Sequence, residues 1–265
     1  MDTKSQETIK KYITHILERN DTMKKQSIIA LLLSVCLITT ACSNTSDSPD
    51  IPDNNSSLSN IEIDRGGEVK INVSGIDGRP FVPGGSAITA ASTILAYYGI
   101  SIKPFDLRGF ATIEESTSFI DGTSSPWKKI VGNPKGALSF YFAPPIVDML
   151  NTYYTEYPKK CKDRTVTNIS GADLAKLKSY IDNQKPVIVW GTITGNAAVP
   201  VEEYSWVTDE GEEFIGKMAM RCYTMIGYNN SEVILISDNG KTLNVLNETF
   251  LEMYESMESQ AILIE

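Results

Sequence analysis

The stretch VPGGSAITAASTILAYYGI, from Val82 to Ile100, decides the fold that we expect for this chain. A Pro-Gly-Gly turn leads into an apolar segment whose hydrophobic residues recur at three- and four-residue steps, namely Ile88, Ala91, Leu95 and Tyr98. This period predicts a helix with one buried face. Gly99 then offers the left-handed conformation that ends helices at little cost. Ser86 lies where the helix begins, and we interpret it as the N-cap residue, whose hydroxyl accepts a backbone N–H.

The rest of the chain shows mainly helical patterns first and strand patterns later. Further helices are predicted at residues 104–119, 144–154, 174–181 and 247–257. Strands are predicted at residues 69–73, 186–193, 218–228, 233–237, 242–246 and 261–264. Ser170 and Asn247 are the expected caps of the last two helices, and Asn239-Gly240 predicts a hairpin turn. This order of elements predicts one α+β domain.

The N-terminal residues have the pattern of an export signal. Met23-Lys24-Lys25 precedes the apolar run Ile28 to Ile38, and small residues then lead to Cys42. This run is too short to span a bilayer, which needs about 20 apolar residues. Small residues directly before a cysteine resemble a bacterial lipobox. That resemblance implies that Cys42 is acylated and anchors the protein to the outer face of the cytoplasmic membrane. An ordinary secretory signal is the alternative.

These features divide the chain into a signal region at 1–41, a flexible tether at 42–60 and a folded domain at 61–265. The tether is rich in Ser, Asn and Asp, and it has too few apolar residues to order itself. Met23 is a second candidate start of translation. The single histidine, His15, lies before the expected cleavage site, so the mature chain has no histidine. The net charge of the whole chain is −9, and no basic stripe is present, which argues against a nucleic-acid partner.

Several segments together resemble the C39-like family of papain-fold cysteine peptidases. Its members open with a segment close to D-V-P-x-I-x-Q, continue with L-P-T-G-C-E, and form a helix that ends in Y-Y-G. Asn72-Val73-Ser74, the run Val82 to Ala87 and Tyr97-Tyr98-Gly99 follow that order here. Val131 to Pro134 and Gly227-Tyr228 also agree with the family. The resemblance covers about Val69 to Glu265, and it implies an N-terminal helix packed on a C-terminal antiparallel sheet.

The departures from the family fall on its catalytic residues. The resemblance places Gly78 at the oxyanion-hole glutamine, Ser86 at the nucleophilic cysteine and Arg221 at the general-base histidine. Only an aspartate, Asp238, is retained. Serine is far less acidic than cysteine and needs a base, and a guanidinium does not deprotonate in proteins. We therefore expect no catalytic residues at these four positions, and an Arg221–Asp238 ion pair in place of the catalytic hydrogen bond.

Three functions follow as alternatives. The leading hypothesis is a non-catalytic surface protein that binds a peptide or cell-wall ligand in the old cleft. The second is a hydrolase that uses Ser86 with a non-standard base, either Lys217 or a carboxylate. The third is a structural or interaction lipoprotein whose cleft is closed by Phe81, Trp127 or Trp206.

The cysteines of the domain and its possible ligands complete the predictions. Cys161 and Cys222 could pair in an exported protein, but sequence cannot place their sulfur atoms together. Because neighbouring strand residues point to opposite faces, Cys222 should face away from the cleft if Arg221 faces it. We expect Cys222 to be a small buried residue rather than a nucleophile. Without histidine, no metal site follows from the spacing of residues, and no motif predicts a cofactor.

Overall fold

The central feature is an antiparallel sheet that carries helices on both faces. The computed structural model describes residues 66–115, 120–136 and 138–265. Its helices are α1 (Ser86–Tyr97), α2 (Pro104–Leu107), α3 (Ala143–Glu156), α4 (Leu174–Asp182) and α5 (Asn247–Glu255). Its strands are β1 (Val69–Lys70), β2 (Ile113–Glu114), β3 (Ile130–Gly132), β4 (Ser139–Phe140), β5 (Val166–Asn168), β6 (Val187–Thr192), β7 (Val199–Val207), β8 (Glu213–Met218), β9 (Met220–Tyr228), β10 (Glu232–Ile236), β11 (Thr242–Leu246) and β12 (Ala261–Ile264).

The strands form one large sheet and two small ones. In the large sheet the order is β11-β10-β9-β6-β12-β5, with β1 paired to β9, and all of its pairs are antiparallel. The second sheet contains β2, β3 and β4, and the third is the β7–β8 hairpin. The papain-like α+β architecture is therefore confirmed, with α1 packed against β9 and β6.

Strand β6 explains why helices cover both faces of the large sheet. Every residue of this strand is buried, so its side chains must pack on each side. Ile188 and Trp190 join the core of α1 and α3, whereas Val187 and Val189 join the core of α4 and α5. The N-terminus of α1 is thereby held against the middle of the sheet.

Some predicted element boundaries are wrong for local reasons. The helix expected at 104–119 ends much earlier, because a 3-10 turn at Arg108–Phe110 gives way to β2, which pairs with β3. Helix α4 is capped by Asp173, whose carboxylate accepts the N–H of Lys176 at 2.7 Å, and not by Ser170. Ser170 instead accepts the N–H of Ala261. The cap of α5 is Leu246, one residue before Asn247.

The predicted signal region and lipobox, with Cys42, lie outside the described residues, as does the tether at 42–60. Among the helices of the described ranges, none has the length and apolar character needed to cross a membrane. The start of the folded domain at residue 61 also falls before the first described residue.

Candidate functional site

Ser86 is the first residue of α1 rather than its cap. The cap is Gly85, and no side chain caps this helix. The turn before the helix is closed by the N–H of Gly85, which donates to the carbonyl of Val82 at 2.8 Å. The interpretation of Ser86 as an N-cap is therefore wrong, because the glycine turn already sets the start of the helix and points the serine inward.

The Ser86 hydroxyl is enclosed by hydrogen bonds. It accepts the backbone N–H of Cys222 at 2.9 Å and lies 3.3 Å from the hydroxyl of Tyr141. The Tyr141 hydroxyl in turn donates to the carbonyl of Gly84 at 3.1 Å and accepts the N–H of Ala87 at 3.3 Å. With the Tyr141 proton directed at Gly84, the Tyr141 oxygen is left to accept the proton of Ser86. Only 5% of the Ser86 surface is exposed.

Tyr141 is the site residue that the sequence analysis missed. It lies in the run Phe140-Tyr141-Phe142, which reads as ordinary core, and 55 positions separate it from Ser86. Burial raises the pKa of the Tyr141 phenol well above its usual value. The phenol is therefore neutral, and it acts here as a donor and acceptor of hydrogen bonds rather than as a base.

Arg221 and Asp238 form the predicted ion pair, which confirms that hypothesis. The Asp238 side chain is 5% exposed and also accepts the hydroxyl of Ser237 at 3.2 Å. The Arg221 side chain is 19% exposed, and its Nε atom is buried without a hydrogen-bond partner within the described ranges. The charges thus stabilise each other, and the Asp238 carboxylate is held by a guanidinium.

Gly78 lies next to Asp238 and against α1. Its N–H donates to the backbone carbonyl of Asp238 at 2.9 Å. A Cβ atom at position 78 would lie 2.0 Å from Oγ1 of Thr89 and 2.8 Å from its Cγ2. Thr89 therefore occupies the space that a side chain at position 78 would need. The structure thus brings positions 78, 86, 221 and 238 together around the N-terminus of α1.

Cys161 and Cys222 are both buried, and both are free thiols. The two cysteines therefore do not form a disulfide. Cys222 is fully buried, as expected. It lies in the same core cluster as Ala87, however, and its backbone N–H donates to the Ser86 hydroxyl. Cys222 lies opposite Trp190 on the face that packs on α1, whereas Arg221 lies opposite Gly191, whose Cβ position meets Met253 on the other face. Alternation along β9 therefore holds, but the condition that Arg221 faces the cleft is not met. Burial raises the pKa of the Cys222 thiol, which keeps it protonated.

The other residues proposed around Ser86 lie elsewhere. The ammonium group of Lys217 donates to the carbonyl of Ser256 at 2.9 Å and to Glu258 at 3.1 Å. Trp127 stacks on Phe142, and Trp206 packs with Val131 and Phe140. Phe81 is 53% exposed. The group that covers the Ser86 hydroxyl is Tyr141, and none of the three predicted aromatic residues takes that place.

Comparisons with known proteins agree with this geometry. A sequence model described as the Peptidase C39 like family matches residues 73–262. This match covers most of the chain, which therefore belongs to the C39-like peptidase family. The chain is similar to a crystal structure from Bacillus anthracis that is assigned provisionally as a C39-like peptidase, with a TM-score of 0.62 and 20% identity. The alignment covers 75% of this chain and 97% of that one. No curated protein matches the chain.

Proposed function

We propose that this chain is a non-catalytic member of the C39-like family whose role at the bacterial surface is binding. The observation that carries the proposal is the closed set of partners around the Ser86 hydroxyl, Cys222 N–H and the Tyr141 phenol. Neither partner is a base. A serine nucleophile needs a group that takes its proton, and a neutral phenol with a raised pKa does not take it.

The remaining positions favour the same proposal. The guanidinium of Arg221 is always charged and is paired with Asp238, so it neither accepts a proton nor orients an imidazole. Gly78 has no side chain to donate to a developing oxyanion, a loss worth about 3 kcal/mol in catalysis. Lys217, the alternative base, is bonded to Ser256 and Glu258. A hydrolase built on Ser86 is thus the less favoured alternative.

Phe81 favours a binding role over a purely structural one. It lies on the turn between Gly78 and Ser86, where its N–H donates to the carbonyl of Gly78 at 3.0 Å. The turn fixes the backbone while the ring stays exposed, a combination that suits contact with an apolar part of a ligand. We propose that a peptide or cell-wall ligand rests on this rim of the old cleft, outside the buried hydroxyl of Ser86.

The test of the non-catalytic proposal uses the full chain, purified from membranes in detergent. It is treated with a serine-directed fluorophosphonate and a cysteine-directed alkylating probe, and adducts are mapped by mass spectrometry. We expect no labelling of Ser86 and no difference between the wild-type chain and Ser86→Ala. Stoichiometric labelling of Ser86 that disappears on denaturation would make the protein a serine hydrolase.

The anchoring part of the proposal has a separate test. We propose that Cys42 carries the lipid and becomes the mature N-terminus, after which residues 42–60 tether the domain. In cells, Cys42→Ala should move the protein from the membrane fraction to the soluble extracellular or periplasmic fraction. Cys161→Ala is the matched control and should leave the membrane fraction unchanged. Equal membrane association of the two variants would contradict a lipid anchor at Cys42.

A further inference from the structure

The β7–β8 hairpin, residues 199–218, is a separate two-stranded arm with one packed face. Trp206 and Phe214 are opposite each other in the ladder and pack against Phe140. Their neighbours Val207 and Ile215 are exposed, at 41% and 39% of their surfaces. The arm is therefore fixed to the domain through its inner face, and its outer face is open to solvent.

The two edges of this arm differ. At the β7 edge, the carbonyl of Val207 accepts the N–H of Gly122 at 2.8 Å. The N–H of Val207 donates to the carboxylate of Asp121 at 3.1 Å, and Thr208 bridges to Thr123. Strand β8 pairs with β7 and with no second strand among the described residues. Within the part of the chain that the structure describes, its outer edge is open to a further strand.

The register shows which backbone groups lie at the open edge. Directly opposite residues of an antiparallel pair alternate between hydrogen-bonded and non-hydrogen-bonded positions. Val207 uses its own N–H and C=O outside the hairpin, so its pair with Glu213 is a non-hydrogen-bonded one. The N–H and C=O of Glu213 therefore point away from β7. The direction of the backbone groups alternates from residue to residue along a strand, so the N–H and C=O of Ile215, which is paired with Ser205, also point away from β7.

The charge of the arm is strongly negative. Residues 199–218 contain one lysine and six exposed acidic residues: Glu202, Glu203, Asp209, Glu210, Glu212 and Glu213. The lysine, Lys217, is already bonded to Glu258 outside the arm, and only Glu210 has a basic partner, Lys128, among the described residues. The open strand edge can pair with the backbone of an extended segment, and the exposed apolar side chains can contact its apolar residues. The carboxylates without basic partners favour a segment that carries lysine or arginine.

We propose that the outer edge of β8 docks an extended basic peptide segment of another protein by strand addition. The backbone of the segment pairs with Glu213 and Ile215, its apolar side chains contact Ile215, and its basic side chains lie near Glu213 and are attracted by the other carboxylates of the arm. A second copy of this chain is disfavoured as the occupant, since two such edges would bring like charges together.

The first measurement compares two peptide probes on the full chain in detergent. The first is a short acetylated peptide of alternating valine and lysine, and the second has the same sequence with alternate residues N-methylated. Both carry the same charge, but the second lacks the donors that pair with a strand. We expect at least about tenfold weaker binding of the methylated peptide in isothermal titration calorimetry. Equal binding of the two peptides would overturn the proposal.

Matched variants locate the site. Ile215→Pro removes the outward N–H while leaving the hydrogen bonds to β7, and Ile215→Thr keeps that N–H. We expect the proline variant to lose about tenfold in affinity and the threonine variant to bind nearly as the parent does. Glu213→Lys should weaken binding more than Glu156→Lys, which changes an exposed carboxylate at the end of α3. Circular dichroism checks that each variant is folded.

The readouts also separate this inference from the non-catalytic proposal. Equal loss in both Ile215 variants, or none in either, would contradict docking at the backbone edge. Concentration-dependent dimerisation in analytical ultracentrifugation that Ile215→Pro abolishes would assign the edge to a second copy. Mass spectrometry of the peptide after incubation tests hydrolysis independently. A cleaved peptide would overturn the non-catalytic proposal, whereas an intact but unbound peptide would overturn only the docking site.

Discussion

The Tyr141 hydroxyl is the atom that joins the turn before α1 to the buried serine. It contacts the carbonyl of Gly84, the N–H of Ala87 and the hydroxyl of Ser86. Tyr141→Phe should lower the free energy of unfolding by about 1–3 kcal/mol, because buried polar groups lose a partner that no water replaces. Urea denaturation monitored by circular dichroism measures the change.

A second tyrosine provides the control for that measurement. The hydroxyl of Tyr97 also bonds a carbonyl, that of Gln184 at 3.1 Å, but at an exposed position. Tyr97→Phe should cost clearly less than Tyr141→Phe, since water can bond the freed carbonyl. Equal costs of the two variants would show that the phenol of Tyr141 is not part of a closed buried network.

Arg221 and Asp238 give the second prediction at the scale of single residues. Arg221→Met should lower the free energy of unfolding by about 3–5 kcal/mol, because it leaves the carboxylate of Asp238 buried and unpaired. The double variant Arg221→Met/Asp238→Leu should recover most of that loss, since neither charge remains. The exposed pair of Arg79 and Asp77 is the matched control, and Arg79→Met should have little effect. A double variant no more stable than Arg221→Met would argue against the pair.

At the scale of elements, the contact between the Gly78 loop and α1 is close enough to exclude a side chain. Gly78→Ala should destabilise the fold, since its Cβ would lie 2.0 Å from Oγ1 of Thr89. Thr89→Gly removes that contact at a cost of a few tenths of a kcal/mol in helix propensity, together with the hydrogen bond from the Thr89 hydroxyl to the carbonyl of Gly85. In a double-mutant cycle, Gly78→Ala should therefore cost much less in the Thr89→Gly background. Additive effects would show that the loop relaxes without Thr89.

The elements that the sequence predicted are those whose signals are local. Helix α1 follows from its apolar period and from Gly99, and the hairpin turn at Asn239-Gly240 has the expected N–H of Gly240 on the carbonyl of Ser237. The β7–β8 hairpin could not be predicted in the same way. Pro200 and the register shift in β7 break its alternation, and its inner face is completed by Phe140 from a distant strand.

At the scale of the whole molecule, the same distinction applies to the candidate site. Resemblance to the family was enough to bring Gly78, Ser86, Arg221 and Asp238 to one place. It could not supply Tyr141 and Thr89, because the contact of Tyr141 with Ser86 and the close approach of Thr89 to Gly78 appear only in the packed structure. Alternation along β9 put Cys222 and Arg221 on opposite faces, but it could not tell which of the two faces α1, and the structure places Cys222 there.

Both core thiols report on how far the whole domain must open. Cys161 and Cys222 are buried, and burial raises the pKa of each thiol. For the fully buried Cys222, a thiolate forms only when the surrounding core separates. In the native chain at pH 8, iodoacetamide should alkylate Cys222 at least about a hundredfold more slowly than in urea, because Cys222, a residue of β9, is buried under α1. Peptide mapping by mass spectrometry follows each cysteine separately.

Tyr141→Phe should accelerate the alkylation of Cys222 in proportion to its loss of stability if the whole core opens. Rapid alkylation of Cys222 in the stable wild-type chain would instead mean that α1 separates from the sheet locally, and the Ser86 hydroxyl would then be open to solvent and ligands.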